Sequence, residues 1–156
     1  MKKLIYLCLA ACICTTLAFA QKVTNKDLQG NWKMTAFNAQ GIGLDLKTQE
    51  VTISPEMQAQ LSPEAITGIK EGMKQAVGPL SSSYVNFSGT NVTMAIGSPD
   101  AQANAFTLNE KEGKQSITVK NADGTTMDIP VVMKDKKLYM TLTDGGQQAD
   151  FIFMKQ

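Results

Sequence analysis

The stretch DLQGNWKMTAF, residues 27–37, contains the only tryptophan of the chain, Trp32, two positions after a glycine. Apolar and polar residues alternate from Asn31 onward, which is the pattern of a β-strand with one buried face. Trp32, Met34 and Ala36 fall on the same face of this strand. The sequence therefore predicts that the largest side chain of the protein enters the core from the first strand.

The same alternation continues through most of the chain. Apolar residues occupy every second position in the runs 44–46, 51–53, 85–87, 92–96, 106–108, 117–119, 127–133, 138–142 and 151–153. Polar turn sequences with Gly, Asn or Asp separate most of these runs, as in an antiparallel meander. A large sheet without covering helices loses its free edges by closing on itself. We therefore predict a mainly β fold, an up-and-down barrel of about eight to nine strands, with an edge or bulge at Pro130.

Residues 54–80 interrupt the strand pattern. Ser54-Pro55-Glu56 and Ser62-Pro63-Glu64 both combine a capping serine, a proline at the first helical position and an acid in the first turn. Two helices are predicted, near 55–61 and 63–77, with Gly78-Pro79 ending the second. They form a helical insertion, about 55–77, near the N-terminal strands.

One face of this insertion is apolar, and we predict that it acts as a lid over one end of the barrel. The predicted lid residues are Met57, Leu61, Ile69 and Met73. Gly68 and Gly72 should each weaken the second helix by about 1 kcal/mol relative to alanine. Either close packing on the barrel requires these glycines, or they allow the cover to loosen.

Residues 1–20, MKKLIYLCLAACICTTLAFA, have the pattern of a secretory signal peptide: a basic start, an apolar run and an Ala-x-Ala ending. The run is too short to predict a membrane span. Residues 21–156 then form a single exported domain, periplasmic or extracellular. Alternatively, Leu9-Ala10-Ala11-Cys12 is a lipoprotein signal that anchors the chain in the envelope through Cys12, although the residues that follow stay apolar rather than forming a polar tether.

The composition excludes several kinds of chemistry. All three cysteines lie in the leader, there is no histidine, and all fifteen basic residues are lysine. Disulfides, thiolate or imidazole metal sites and histidine-dependent catalysis are therefore not expected. We predict no catalytic residue, no metal, no cofactor and no enzymatic activity. The fourteen acids are interspersed with the lysines, which predicts no basic footprint for nucleic acid or for an anionic membrane surface.

The segment Leu28-Gln29-Gly30-Asn31-Trp32-Lys33 resembles the start of lipocalin-like domains of secreted bacterial proteins, within the calycin superfamily. The resemblance implies a barrel closed at one end, with Gly30 and Trp32 at that end, and open at the other to a small apolar ligand. The chain departs from animal lipocalins because it lacks their late arginine over the tryptophan and ends in a strand rather than a helix.

The inward faces of the strands supply the candidate ligand-binding residues. These are Met34, Met94, Phe106, Met127, Ile129, Met140 and Phe151. Methionine adapts to irregular apolar pockets, and without arginine no bidentate clamp for a carboxylate is available. The predicted function is therefore binding of a small apolar, uncharged ligand in the barrel interior. The alternative is an envelope structural or protein-interaction module with a solid core; no protein partner is indicated.

Overall fold

The structure is a computed structural model and describes residues 22–97 and 101–156. The predicted leader, including Cys12, lies outside the described residues. The helices are α1 (Asn25–Leu28), α2 (Pro55–Gln58) and α3 (Pro63–Ser81). The strands are β1 (Gly30–Ala39), β2 (Ile42–Asp45), β3 (Val51–Ile53), β4 (Tyr84–Ser88), β5 (Asn91–Ala95), β6 (Ala103–Lys111), β7 (Lys114–Lys120), β8 (Thr126–Lys134), β9 (Lys137–Asp144) and β10 (Gln147–Lys155).

All strands belong to one antiparallel sheet, in the order β10-β9-β8-β7-β6-β5-β4-β1-β2-β3, and β10 also pairs with β1. This last pairing closes eight strands, β1 and β4 to β10, into a barrel. The first half of β1 pairs with β4, and the second half pairs with β2, so β2 and β3 extend the sheet outside the barrel. The predicted up-and-down barrel with a two-helix insertion is confirmed.

The two ends of the barrel differ. One end carries α1, the start of β1, the β6–β7 and β8–β9 turns and the end of β10. We call it the closed end, because Val23 and Leu28, before and at the end of α1, are buried in the core cluster there. Gln115 of β7 fixes this segment, since its amide accepts from Val23 N–H at 2.6 Å and donates to Val23 O at 2.8 Å. The opposite end, with the β1–β2, β7–β8 and β9–β10 turns, is the open end.

The period-two pattern produces the core, as β8 illustrates. Ile129, Val131 and Met133 are buried, whereas the intervening Pro130 and Val132 are exposed. Most of the inward residues of the other barrel strands join the same cluster. Burying one apolar side chain of this size stabilises a fold by roughly 1.5–3 kcal/mol, so the alternating faces hold the barrel together.

The prediction that Ala36 shares the inward face of Met34 is wrong. Met34 pairs with Phe153, but Ala36 pairs with Ile152, because a bulge at this point shifts the register of β1 against β10. An extra residue in one strand turns all following side chains to the other face. Phe37 therefore points inward.

The serine caps of the insertion form as predicted: Ser54 Oγ accepts from Met57 N–H, and Ser62 Oγ accepts from Ala65 N–H. The predicted end at residue 77 is wrong, because α3 continues to Ser81 with Pro79 inside it. The preceding Gly78 lacks the Cβ that a proline ring would strike, and the one bond that Pro79 cannot donate is lost just before the helix ends at Ser81.

The close-packing explanation for Gly68 and Gly72 is not supported. A Cβ added at either position would meet no neighbouring atom within 4 Å, and no residue of α3 is fully buried. The glycines therefore weaken the helix without any steric need.

We predict that Gly68→Ala and Gly72→Ala each stabilise α3 by about 1 kcal/mol, because alanine has less backbone freedom to lose. Amide hydrogen exchange within 63–81 should slow about fivefold per substitution. Gly89→Ala is the control, since Gly89 has a positive φ of 60° and alanine should destabilise that turn. Unchanged or faster exchange in α3 for both helix variants would contradict this reading.

Candidate functional site

The inward apolar residues become more exposed from the closed end to the open end. On β8, Ile129 is fully buried, but Met127, which faces the same way at the open end, is 44% exposed. On β1, Trp32 and Met34 are buried and Phe37 is half-buried. The open half of the interior is therefore an apolar surface that the protein itself covers only partly.

Strands β5, β9 and β10 show the same gradient. Their half-buried inward residues are Met94, Leu142 and Ala149, and these pack against the core cluster from the open side. Their counterparts nearer the closed end, such as Leu138 and Phe153, are fully buried. Five strands thus contribute partly exposed apolar side chains to one mouth.

The predicted ligand-binding residues fall into two groups. Met34, Ile129 and Met140 are almost completely buried, and Phe106 and Phe151 are 7% and 8% exposed, so all five belong to the packed core. Met94 and Met127 lie at the mouth. The structure thus brings only part of the predicted set to a surface that a ligand could reach without displacing core side chains.

Sequence reasoning missed Phe37 as a residue of the mouth. Its ring centroid lies 5.2 Å from that of Phe151, with the ring planes inclined at 56°, a geometry that aromatic pairs favour. The bulge in β1 places it there, and a bulge of this kind leaves no mark in a period-two pattern. Leu142 and Ile96 are further half-buried residues packed on the same cluster.

The barrel wall also opens toward the mouth. Pairing between β8 and β9 runs from Lys134↔Lys137 to Val131↔Met140 and stops there, whereas β8 stays paired with β7 down to Thr126. Pro130 is the first residue of β8 beyond the β9 pairing, so its missing N–H falls beside a free edge. The edge predicted from Pro130 is confirmed.

The helical insertion lies on the open side of the barrel. Helix α3 contacts β1 and β3, and Leu80 near its end packs on the core cluster. The four predicted lid residues, Met57, Leu61, Ile69 and Met73, are all half-buried. Their position over a ligand stays a prediction.

Trp32 and its neighbours form the closed end. The indole Nε1–H donates to Leu28 O at 2.6 Å, and the ring is 2% exposed. Gly30 has a φ of 110°, which favours glycine. The Lys155 ammonium lies 5.3 Å from the indole centroid and donates to Asp27 O at 3.2 Å. Sequence reasoning missed Lys155, because its contact with Trp32 depends on the pairing of β1 with β10.

The carboxyl groups with perturbed pKa serve caps and turns. Hydrogen bonds from the Thr24 hydroxyl and N–H lower the pKa of Asp27, and bonds from Thr125 lower that of Asp123. The backbone N–H of Thr48 is the main cause of the lowered pKa of Asp45. A general acid at neutral pH needs the opposite shift. Within the described residues, no cluster of three or more acidic, His or Cys side chains could hold a metal ion.

Comparison with protein-family models, with curated proteins and with solved structures found no match to this chain. Of the helices in the described ranges, none combines the length and apolar content that crossing a membrane requires.

We predict that Trp32→Ala destabilises the fold by about 3–5 kcal/mol, because a large buried ring is removed and the closed end cannot collapse around the space. Urea unfolding followed by far-UV circular dichroism measures this, since the fluorescent reporter is lost. Trp32→Phe is the matched control and should cost less, because it keeps most of the apolar volume. A loss below 1 kcal/mol for Trp32→Ala would show that the ring does not hold this end together.

Asp27 gives the closed end a pH dependence. Its pKa is lowered from the ordinary 3.8, so its ionised form stabilises the fold above that pH, and the contribution disappears as the pH falls through the lower folded value. We predict that Asp27→Asn lowers the urea midpoint at pH 6 and has a smaller effect at pH 3. Asp135→Asn, in an exposed turn with φ 52°, is the control. An equal effect of Asp27→Asn at both pH values would refute the assignment.

Proposed function

We propose that the protein is an exported, lipocalin-like binding protein that takes a small, uncharged apolar ligand at the open mouth of its barrel. The observation that carries this proposal is the gradient of exposure along the inward faces, which ends at Met127 with 44% of its surface exposed. Partly exposed apolar side chains that are grouped on one surface are a usual mark of a binding site.

The packing supports a site at the mouth rather than in the closed half. The closed half is filled by side chains that are almost fully buried, and interiors of this kind are close-packed. A ligand that enters without rearranging them therefore contacts the mouth, with Met94, Met127 and Phe37 as its nearest partners.

The chemistry of the mouth favours an uncharged ligand. The inward positions here are Phe, Met, Leu and Ala, and burying a charge among them without a partner would cost several kcal/mol. The flexible side chains of Met94 and Met127 suit ligands of variable shape.

Two features support the lipocalin-like part of the proposal. The closed end combines Gly30 and Trp32 at the start of the first barrel strand, as the resemblance implies. In addition, Lys155 of the last strand lies over the indole, so a lysine occupies the place where animal lipocalins have their late arginine. Export rests on the leader sequence alone.

The second candidate is a structural or protein-interaction module with a solid core. It is supported by the filled closed half, where five of the seven predicted ligand residues belong to the core cluster. In that case the mouth would be a surface feature without an occupant.

We predict that the protein binds the uncharged dye Nile red saturably and that Met127→Asp weakens this binding roughly tenfold, because a carboxylate at the mouth must lose hydration when the dye covers it. Met154→Asp is the matched control: Met154 is 47% exposed but lies on the outer wall. Fluorescence titration measures both affinities, and circular dichroism checks folding.

Equal weakening by the two variants would place the dye outside the mouth, and the absence of saturable binding would favour the solid-core module. Native mass spectrometry of protein purified from its own envelope would identify a retained ligand by its mass.

A further inference from the structure

The barrel sorts its charges although the sequence mixes them. At the closed end, the β6–β7 turn region carries Lys111 and Lys114, and the β8–β9 turn region carries Lys134, Lys136 and Lys137. The same two turn regions carry Glu110, Glu112 and Asp135, so five lysines stand against three acids there. At the open end, the described acids include Asp123, Asp128 and Asp150. The expectation of no basic footprint rested on the order of charges in the sequence, whereas alternate turns of an up-and-down barrel meet at one end and bring the lysines of two hairpins together.

The lysines continue from the closed end onto one outer wall. Strand register places Lys33 beside Met154, Met154 beside Lys137, and Lys137 beside Lys134, in one row across β1, β10, β9 and β8. Among the side chains that the structure describes, the one ion pair is Lys22–Glu110. In the described part of the chain, none of the three lysines of the row has a carboxylate within ion-pair distance, although the charge of Lys137 helps to lower the pKa of Asp45.

A second row, one step toward the open end, is apolar. Ala36, Ile152, Tyr139 and Val132 are paired in sequence across the same four strands. Val132 is 42% exposed and Met154 47%, so two of the three most exposed large apolar residues of the described chain lie on this wall. We call the two rows together the basic wall. Its combination of lysines with exposed Met154 and Val132 and the half-buried Tyr139 resembles the composition of surfaces that lie in a lipid interface.

A shallow depression adjoins the basic wall near the closed end. It has a volume of about 370 Å³ and is lined by Lys22, Glu110, Lys114, Pro130 and Val132, among others. Glu110 pairs with Lys22 at 2.7 Å, so Lys114 supplies the lining cation that is left for an anionic headgroup, beside the apolar surface of Pro130 and Val132.

The chain enters the barrel at this end. Val23 is fixed there by Gln115, and the neighbouring Lys22 pairs with Glu110.

We propose that the closed end and the basic wall dock on an anionic phospholipid surface. The lysines supply the attraction to the headgroups, and Met154 and Val132 enter the boundary between headgroups and acyl chains. Each lysine near an anionic membrane contributes roughly a fivefold factor to binding. The acidic open end faces away from such a surface because like charges repel.

Cosedimentation with lipid vesicles measures membrane binding of the protein in the form that cells export. One set of vesicles contains phosphatidylglycerol and phosphatidylcholine, and the other contains phosphatidylcholine alone. We expect binding to the anionic vesicles that weakens in high salt. A combined Lys33→Gln, Lys134→Gln and Lys137→Gln variant should bind these vesicles roughly a hundredfold less well. The matched control, Lys70→Gln, Lys74→Gln and Lys120→Gln, removes the same charge away from the wall and should change binding far less. Met154→Ser should weaken binding without altering its salt dependence.

Three results would overturn the proposal. Equal binding to the phosphatidylcholine vesicles would show that the leader or nonspecific hydrophobic adsorption, and not the basic wall, causes the binding. An equal loss in the control variant would show that net charge alone matters. Binding to a nucleic acid duplex, lost in the wall variant while anionic vesicles are not bound, would assign the wall to a different partner.

Discussion

The pairing of β1 with β10 is the interaction on which the rest of the structure depends. The other barrel pairings join strands that follow one another in the chain, apart from β1–β4 across the insertion. Without the β1–β10 pairing, both edges of the eight-stranded sheet would be free, and the inward faces would have no common interior. The same register brings Lys155 of the last strand to Trp32 of the first and to the carbonyl of Asp27. The contacts between β1 and β10 therefore close the barrel and also cover its closed end, and they join residues that are far apart in sequence.

This closure makes the two ends of the barrel unequal. At the closed end, α1 and Trp32 cover the interior, so the inward side chains near this end are buried. At the other end, β4 pairs only with the first half of β1, because the second half is occupied by β2. The insertion therefore joins the barrel on its open side, and β8 and β9 separate on that side too. The exposure of the mouth follows from this incomplete pairing, since the residues there are as apolar as those of the core.

The sequence predicts those parts of the fold that depend on local patterns. Period-two runs locate the strands, and Ser54-Pro55 and Ser62-Pro63 mark where both helices begin. The bulge between Met34 and Ala36 is invisible to such reasoning, because it depends on how β10 packs against β1 and not on the residues themselves. The difference in exposure between Ile129 and Met127 likewise depends on their depth in the barrel, whereas the sequence shows only that both are apolar. Lys155 could be assigned to Trp32 only after the register of the last strand was known.

The distribution of charge shows how strongly topology decides what a sequence means. Each hairpin of an up-and-down barrel reverses the chain, so the lysines of the β6–β7 and β8–β9 hairpins meet at the closed end, where they outnumber the acids of the same turns. The basic wall and the mouth share β8 and β9 but use different positions on them. Lys134 and Lys137 lie at the end where these strands are paired, and Met127 lies where they part. The side chains of the wall point outward, whereas Met127 faces the interior. A membrane bound to the wall would therefore leave the interior face of the mouth uncovered, so the two proposed surfaces do not compete.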